Sequence, residues 1–158
     1  MLKKIVSLFS ICLILMSCGK STSKLYNDIY SSCNVKDSIP FEYNLNDFIK
    51  ADWDTLYILG SNKRLEDIDR ILGFNYEFYE ESSDLIVFVK NKKVIYHEEI
   101  PFKWDAIDPV GGGLLIYFPY NDDENISKVS NKTPILILMK EKNIHNEDCF
   151  YVKSFKEK

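Results

Sequence analysis

Short blocks of apolar residues separated by polar turns recur along most of the chain, a pattern that predicts strands. Phe41–Leu45 alternates apolar with polar residues, which indicates a strand with one buried face. Thr55–Leu59 is apolar on both faces, so we expect a central strand that is covered on both sides. Leu85–Val89 and Val94–His97 flank the charged segment Lys90–Lys93, an arrangement typical of a hairpin.

Three more apolar runs follow in the later part of the chain, each of strand length. They are Leu114–Phe118, Ile135–Met139 and Cys149–Val152. The last two are expected to form a second hairpin-like pair. The segment Tyr120–Thr133 is polar, and we interpret it as a connection.

Two segments favour helices. Leu25–Ser32 places apolar residues on one face, which predicts a short helix. Arg64–Leu72 has a clearer inward stripe, formed by Leu65, Ile68, Ile71 and Leu72. Ser61 or Asn62 is the expected N-cap of this helix, and Gly73 follows its last turn, where a left-handed residue is common.

These elements together predict an α+β fold. We expect an antiparallel, mostly meander sheet of about six to seven strands, with one or two short helices packed on one face. The length of the chain suits a leader over residues 1–17, a tether over residues 18–24 and a single globular domain over residues 25–158.

The N-terminal segment has the pattern of an export signal. Lys3 and Lys4 precede the apolar run Ile5–Leu15, which is too short to cross a bilayer, since a spanning helix needs about 20 residues. The following Leu-Met-Ser-Cys, which ends at Cys18, resembles the lipobox of bacterial lipoproteins. An ordinary signal-peptide cut is the alternative.

The lipobox resemblance implies a cellular location. It implies that Cys18 carries the lipid and is the first residue of the mature chain, which is then attached to a membrane by its acyl chains. In such lipoproteins, a residue other than Asp after the cysteine, here Gly19, indicates sorting to the outer membrane. The domain would face either the periplasm or the cell surface.

The charge of the mature chain disfavours nucleic acid as a partner. Removing Lys3 and Lys4 with the leader leaves 18 basic and 24 acidic residues, a formal net charge of −6. The acidic residues are scattered among lysines, and no clustered basic face is evident. We expect no bound cofactor.

Two cysteines remain after the leader is cleaved and Cys18 is lipidated. Cys33 and Cys149 form an even pair in an oxidising compartment, which predicts a disulfide between them. The alternative is two separate buried thiols. The set His145, Glu147, Asp148 and Cys149 has no regular ligand spacing, so we predict no metal site.

Two Trp-Asp dipeptides are candidate contact sites. Trp53 could present Asp54 to a partner, or it could plug the core while Asp54 accepts backbone hydrogen bonds before the strand; we favour the second interpretation. Trp104 begins the second dipeptide, in a long connection. An exposed Trp104 would suit a partner anchor, although a packed loop residue is the commoner role.

A resemblance to a protein group follows from these motifs. The strand Trp53–Gly60, the helix ending in Leu72-Gly73-Phe74 and the apolar hairpin Leu85–Val94 together resemble a group of small, uncharacterised bacterial lipoproteins and secreted proteins. The likeness covers Phe41–Phe102. It implies no catalytic residue.

No nucleophile–base set is evident in the sequence, so we predict a protein that is not an enzyme. The expected function is that of a binding or interaction module in the cell envelope, held to the membrane by its lipid. The partner would be an envelope protein or a polysaccharide. The alternative is a small envelope hydrolase that uses His97 or Asp54 with nearby carboxylates.

Overall fold

The computed structural model describes residues 23–80, 83–101, 115–119, 125–143 and 146–157. Within these ranges the chain forms three helices and eight strands. The helices are α1 (Lys24–Ser32), α2 (Leu45–Phe48) and α3 (Leu65–Leu72). The strands are β1 (Pro40–Asn44), β2 (Thr55–Leu59), β3 (Ser83–Lys90), β4 (Lys93–Pro101), β5 (Ile116–Tyr117), β6 (Ile126–Ser130), β7 (Ile135–Lys142) and β8 (Asp148–Lys156).

The strands form two four-stranded sheets. The central sheet has the order β4-β3-β2-β6 and is antiparallel throughout. The outer sheet has the order β1-β7-β8-β5, and only the pairing of β5 with β8 is parallel. The α+β class is therefore confirmed, but the prediction of one meander sheet is wrong.

The single-sheet prediction fails because strand pairing is set by packing between segments that are distant in sequence. β1 pairs with β7, with Tyr43 opposite Leu136. The chain also changes sheets between β6 and β7, which are neighbours in sequence. β6 itself was predicted to be a connection, because its polar residues Ser127, Lys128 and Ser130 weaken its apolar pattern.

The central sheet is covered on both faces, as the apolar run of β2 predicts. Ile86 and Phe88 of β3 join a core that also contains outer-sheet residues. Val87 and Val89 face the other way, into a second core shared with α3. The layers are therefore outer sheet, central sheet and α3.

The β3–β4 hairpin is confirmed. Its turn consists of Asn91 and Lys92, which both have a positive φ, of 49° and 59°. Such paired left-handed residues give the turn a twist that matches the strands.

The C-terminal end of helix α3 agrees with the sequence-based prediction, whereas its N-terminal end does not. Gly73 follows the helix at φ 77°, the left-handed conformation expected there. The predicted caps are wrong, because Arg64 occupies the N-cap position and makes no side-chain capping bond. Ile68 and Leu72 are buried as predicted, whereas Leu65 is 37% exposed because it lies in the first turn at the edge of the stripe.

Helix α1 bridges the two sheets. Leu25 and Ile29 are fully buried in the main core. The Glu98 carboxylate on β4 accepts hydrogen bonds from the backbone N–H groups of Lys24, at 2.9 Å, and Leu25, at 3.0 Å. On the other side, the Tyr26 hydroxyl donates to the carbonyl of Asp148 on β8 at 2.7 Å. These contacts fix α1 beside the β7–β8 turn.

Candidate functional site

A cleft of about 610 Å³ lies between α1 and the β7–β8 hairpin. Ligand sites measure roughly 300–1,000 Å³, so this cleft is of suitable size, whereas two others, of about 310 and 270 Å³, are at or below the lower limit. We call it the helix–hairpin cleft. Its described lining residues are Tyr26, Asn27, Tyr30 and Ser31 of α1, Lys142, Asn146, Glu147 and Asp148 of the hairpin, and Leu115.

The aromatic ring of Tyr30 lines this cleft and packs against two other aromatic rings. Tyr30 is 48% exposed, although it is a large aromatic residue. Its ring stacks on Tyr26, with centroids 6.0 Å apart and an angle of 26°, and meets Phe150 edge-on at 6.4 Å. Tyr26 in turn packs on Phe150 at 5.6 Å. The exposed ring is thus positioned by rings that belong to the core, with little freedom left to lose on binding.

The spacing of α1 explains this array. Tyr26 and Tyr30 are four residues apart, so they lie one turn above the other on the same helical face. The neighbouring face, with Leu25 and Ile29, is the one that packs in the core. Because α1 is anchored in the core through Leu25 and Ile29, its neighbouring face, with Tyr26 and Tyr30, lies toward the hairpin.

The wall opposite α1 belongs to the β7–β8 hairpin, where Asn143 forms two hydrogen bonds with Glu147. The Asn143 amide bonds Glu147 twice: its Nδ2 donates to Oε2 at 3.0 Å, and its Oδ1 accepts from the backbone N–H at 2.9 Å. Asn146 has φ 60°, a left-handed conformation that Asn tolerates, and its backbone N–H donates to the Asn143 carbonyl at 2.9 Å. The side of the turn that contains Asn146 is exposed.

Lys142 and Asp148 form an ion pair in the cleft, and Glu147 adds a second carboxylate to the lining. Lys142 Nζ lies 2.8 Å from Asp148 Oδ1. The hydrogen bond from Lys142 holds the pKa of Asp148 below its usual value, and the same bond raises the pKa of Lys142. Burial, reinforced by the nearby Asp148 charge, raises the pKa of Tyr26, so its hydroxyl stays a neutral donor. The cleft therefore combines an ion pair, the second carboxylate of Glu147, and neutral hydroxyl and amide groups.

The structure places Trp53 in the core. It is 1% exposed, its ring meets Phe88 edge-on at 5.3 Å, and its Nε1 donates to Asn46 Oδ1 at 2.8 Å. The favoured interpretation of Trp53 as a core plug is confirmed, and a partner contact at the Trp53-Asp54 dipeptide stays a prediction.

Asp54 holds the β3–β4 hairpin. Its Oδ1 is 2.8 Å from Lys90 Nζ, and its Oδ2 accepts from the backbone N–H of Asn91 at 2.8 Å. These two bonds, with that from Asn91 first, lower the pKa of Asp54. The prediction that Asp54 accepts a backbone hydrogen bond beside its strand is confirmed, and its carboxylate is engaged in a structural turn.

His97 lies apart from Asp54. Strands β4 and β2 flank β3, which separates the two segments by about 10 Å across the sheet. The His97 ring packs against Phe78 at a tilt of 40°, with centroids 4.1 Å apart, and burial lowers the pKa of His97. The cleft beside it contains Lys24 and three glutamates but no described Ser, Thr or Cys nucleophile. The structure therefore does not bring His97 and Asp54 into one site.

The predicted disulfide is not formed in the structure. Cys33 and Cys149 are present as separate thiols, which matches the alternative left open by the sequence. Cys149 is buried on β8, and its Sγ lies 3.4 Å from the carbonyl of Glu141 on β7. Cys33 is the partly buried C-cap of α1. The thiol of Cys149 is thus directed to a backbone partner within its own sheet.

Several predicted features lie outside the described residues. They are the lipidation site Cys18, the partner-contact candidate Trp104 and the histidine His145. Within the described ranges, no helix is long and apolar enough to cross a bilayer. In the same ranges, no group of three or more His, Cys, Asp and Glu residues is arranged to hold a metal ion.

The aromatic residues of the cleft were not among the predicted contact residues. The signal for Tyr26 and Tyr30 was their spacing of four within a predicted helix. No local pattern could reveal that Asn146 and Lys142 would lie opposite them, because that placement depends on the packing of α1 against β8.

Comparison with known protein families, with curated proteins and with solved structures finds no match to this chain.

Proposed function

We propose that this protein is a lipid-anchored binding module of the bacterial cell envelope, without catalytic activity, and that the helix–hairpin cleft is its ligand site. One observation carries the proposal: the exposed Tyr30 ring is fixed by Tyr26 and Phe150 at the mouth of a cleft of about 610 Å³. Aromatic residues that are rigid before binding are the usual anchors of recognition sites.

The anchor is proposed from the leader. Acylation of Cys18 would tie the domain to the outer membrane through residues 18–24, and two or more acyl chains give stable attachment. The likeness to small bacterial lipoproteins supports the same location. The partner of such a module is an envelope protein or a polysaccharide, with no role for nucleic acid in a chain of this charge.

The lipid anchor is tested with a clickable palmitate analogue. Bacteria that express the full chain are compared with bacteria that express Cys18→Ser. We expect the label on the original chain, in the outer-membrane fraction, and an unlabelled, longer product from Cys18→Ser. Unlabelled, full-length protein in the cytosol of cells that express the original chain would contradict the proposal.

A further inference from the structure

We infer that the helix–hairpin cleft binds an uncharged saccharide chain. The inference rests on the proposed binding function and names the chemistry of its ligand. Three properties of the cleft support it: the exposed ring of Tyr30, the mixed donors and acceptors on both walls, and the pairing of Lys142 with Asp148, which occupies the cation of the described lining.

The Tyr30 ring suits the apolar face of a sugar. A pyranose ring presents a flat face of C–H groups, which packs well on an aromatic face. Because Tyr30 is braced by Tyr26 and Phe150, its ring is already in position, and binding costs little conformational entropy.

The polar groups around this ring match hydroxyl groups. Asn27 and Ser31 on α1, with Asn146 on the hairpin, are exposed and line the same cleft, and the Ser31 hydroxyl, which donates to the Asp28 carbonyl at 2.9 Å, still offers an acceptor. Amides and hydroxyls each supply both donors and acceptors, as sugar hydroxyls do. Walls that carry both functions can therefore bond several hydroxyls of one chain.

The charge of the cleft disfavours an anionic ligand. The ammonium of Lys142, the one described cationic side chain in the lining, is engaged by Asp148 at 2.8 Å. An anion would displace that carboxylate and would also face Glu147. A neutral ligand leaves the ion pair intact.

The backbone of the cleft disfavours an extended peptide. A peptide that adds as a strand needs unpaired backbone groups at a sheet edge. Here the Asp148 carbonyl accepts from the Tyr26 hydroxyl at 2.7 Å, and the Phe150 N–H donates to the Leu115 carbonyl at 3.0 Å. Both of these β8 backbone groups beside the cleft are occupied, and β8 itself lies between β7 and β5, so side-chain hydroxyls and amides are what the cleft offers.

The test is a binding screen with the full-length protein in detergent micelles. Neutral oligomers of glucose, galactose, mannose and N-acetylglucosamine, two to six units long, are titrated by saturation-transfer NMR. We expect at least one series to bind, with contacts to the sugar C–H protons. Tyr30→Ala should weaken that binding about tenfold or more, whereas Tyr30→Phe, which keeps the ring, should retain most of it.

Two further variants make the result specific. Asn146→Gly removes an amide while it tolerates the left-handed backbone, and it should weaken binding about fivefold. Phe78→Ala is the matched control, because Phe78 is 45% exposed and lines another cleft; it should leave the affinity unchanged. Thermal unfolding checks that each variant is folded.

Two outcomes would overturn the inference. One is that no saccharide binds at millimolar concentration; the other is that Phe78→Ala weakens binding as much as Tyr30→Ala. If the protein is labelled at Cys18 and binds an envelope protein in a Tyr30-dependent way but no saccharide, this inference fails while the proposed function stands. An unlabelled Cys18 would instead count against the anchor alone.

Discussion

The carboxylate of Glu98 caps helix α1 from a distant strand: its Oε1 accepts a hydrogen bond from the backbone N–H of Leu25 at 3.0 Å, across 73 residues of sequence. Its Oε2 accepts from Lys24 N at 2.9 Å, and Tyr96 donates its hydroxyl to the carboxylate at 2.6 Å. A negative charge at a helix N-terminus also interacts favourably with the helix dipole. The position of α1, and with it one wall of the cleft, therefore depends on Glu98.

Glu98→Ala should lower the free energy of unfolding by about 2–4 kcal/mol, because it leaves buried N–H and hydroxyl donors without an acceptor. Glu98→Gln keeps one acceptor oxygen and should cost about 1–2 kcal/mol. Urea denaturation at pH 7 measures both. An Ala variant within about 0.5 kcal/mol of the original chain, the usual range for surface changes, would show that the cap contributes little.

Asp84 should make stability depend on pH. Burial raises the pKa of Asp84 to about 6, even though its Oδ1 accepts from the backbone N–H of Ser61 at 2.9 Å. Between the unfolded pKa of 3.8 and about 6, the folded state binds more protons than the unfolded state. The contribution of Asp84 is therefore fully present below pH 3.8 and is lost as the pH rises through 6.

Replacing this carboxyl by an amide should remove that dependence. Asp84→Asn keeps an acceptor for Ser61 and should raise the free energy of unfolding by about 1–3 kcal/mol at pH 8 relative to the original chain, with the gain vanishing near pH 3.5. The measurement is urea denaturation of both chains from pH 3.5 to 8. Parallel pH profiles would contradict the assignment.

Gly73 ends α3 in a conformation that other residues adopt at a cost. With φ 77° and no atom within 4 Å of an added Cβ, the penalty of Gly73→Ala is conformational, about 1 kcal/mol. Gly73→Asn should cost less, since Asn tolerates the left-handed region. Chemical denaturation that ranks Ala equal to or better than Gly would show that α3 ends differently in solution.

The two thiols should differ in reactivity. Cys33 is partly exposed at the end of α1, whereas Cys149 is fully buried. A maleimide should modify Cys33 in the folded protein and Cys149 only after unfolding in urea. The modified cysteines are mapped by mass spectrometry of proteolytic peptides, prepared without reductant. If neither cysteine reacts after unfolding, a disulfide joins them and the thiol state of the structure is contradicted.

The elements that were predicted correctly are those that depend on residues close together in the sequence. β2 has the bounds that its apolar run indicates, and Gly73 ends α3 as expected, because both depend on neighbouring residues. The partition into two sheets depends on pairings such as Tyr43 with Leu136, for which the sequence contains no local signal. β6 was not predicted because the polar residues Ser127, Lys128 and Ser130 interrupt its apolar pattern.

In the candidate site, too, some residues could be predicted from the local sequence and others could not. The predicted plug Trp53 and the strand-capping Asp54 are confirmed, since an aromatic and an acid before an apolar run have few other roles. The cleft could not be predicted, because Tyr30 and Asn146 come together only when α1 docks between Glu98 and Asp148.

Occupancy of the helix–hairpin cleft in the full chain, with the proposed lipid anchor in place, is tested most directly by photocrosslinking in intact cells. Ser31, on the cleft, or Leu65, which is 37% exposed on α3, is replaced by p-benzoylphenylalanine in the full chain. After irradiation, we expect position 31 to give a membrane-fraction adduct of higher mass and position 65 to give none. No adduct at position 31, or equal adducts at both positions, would contradict the account.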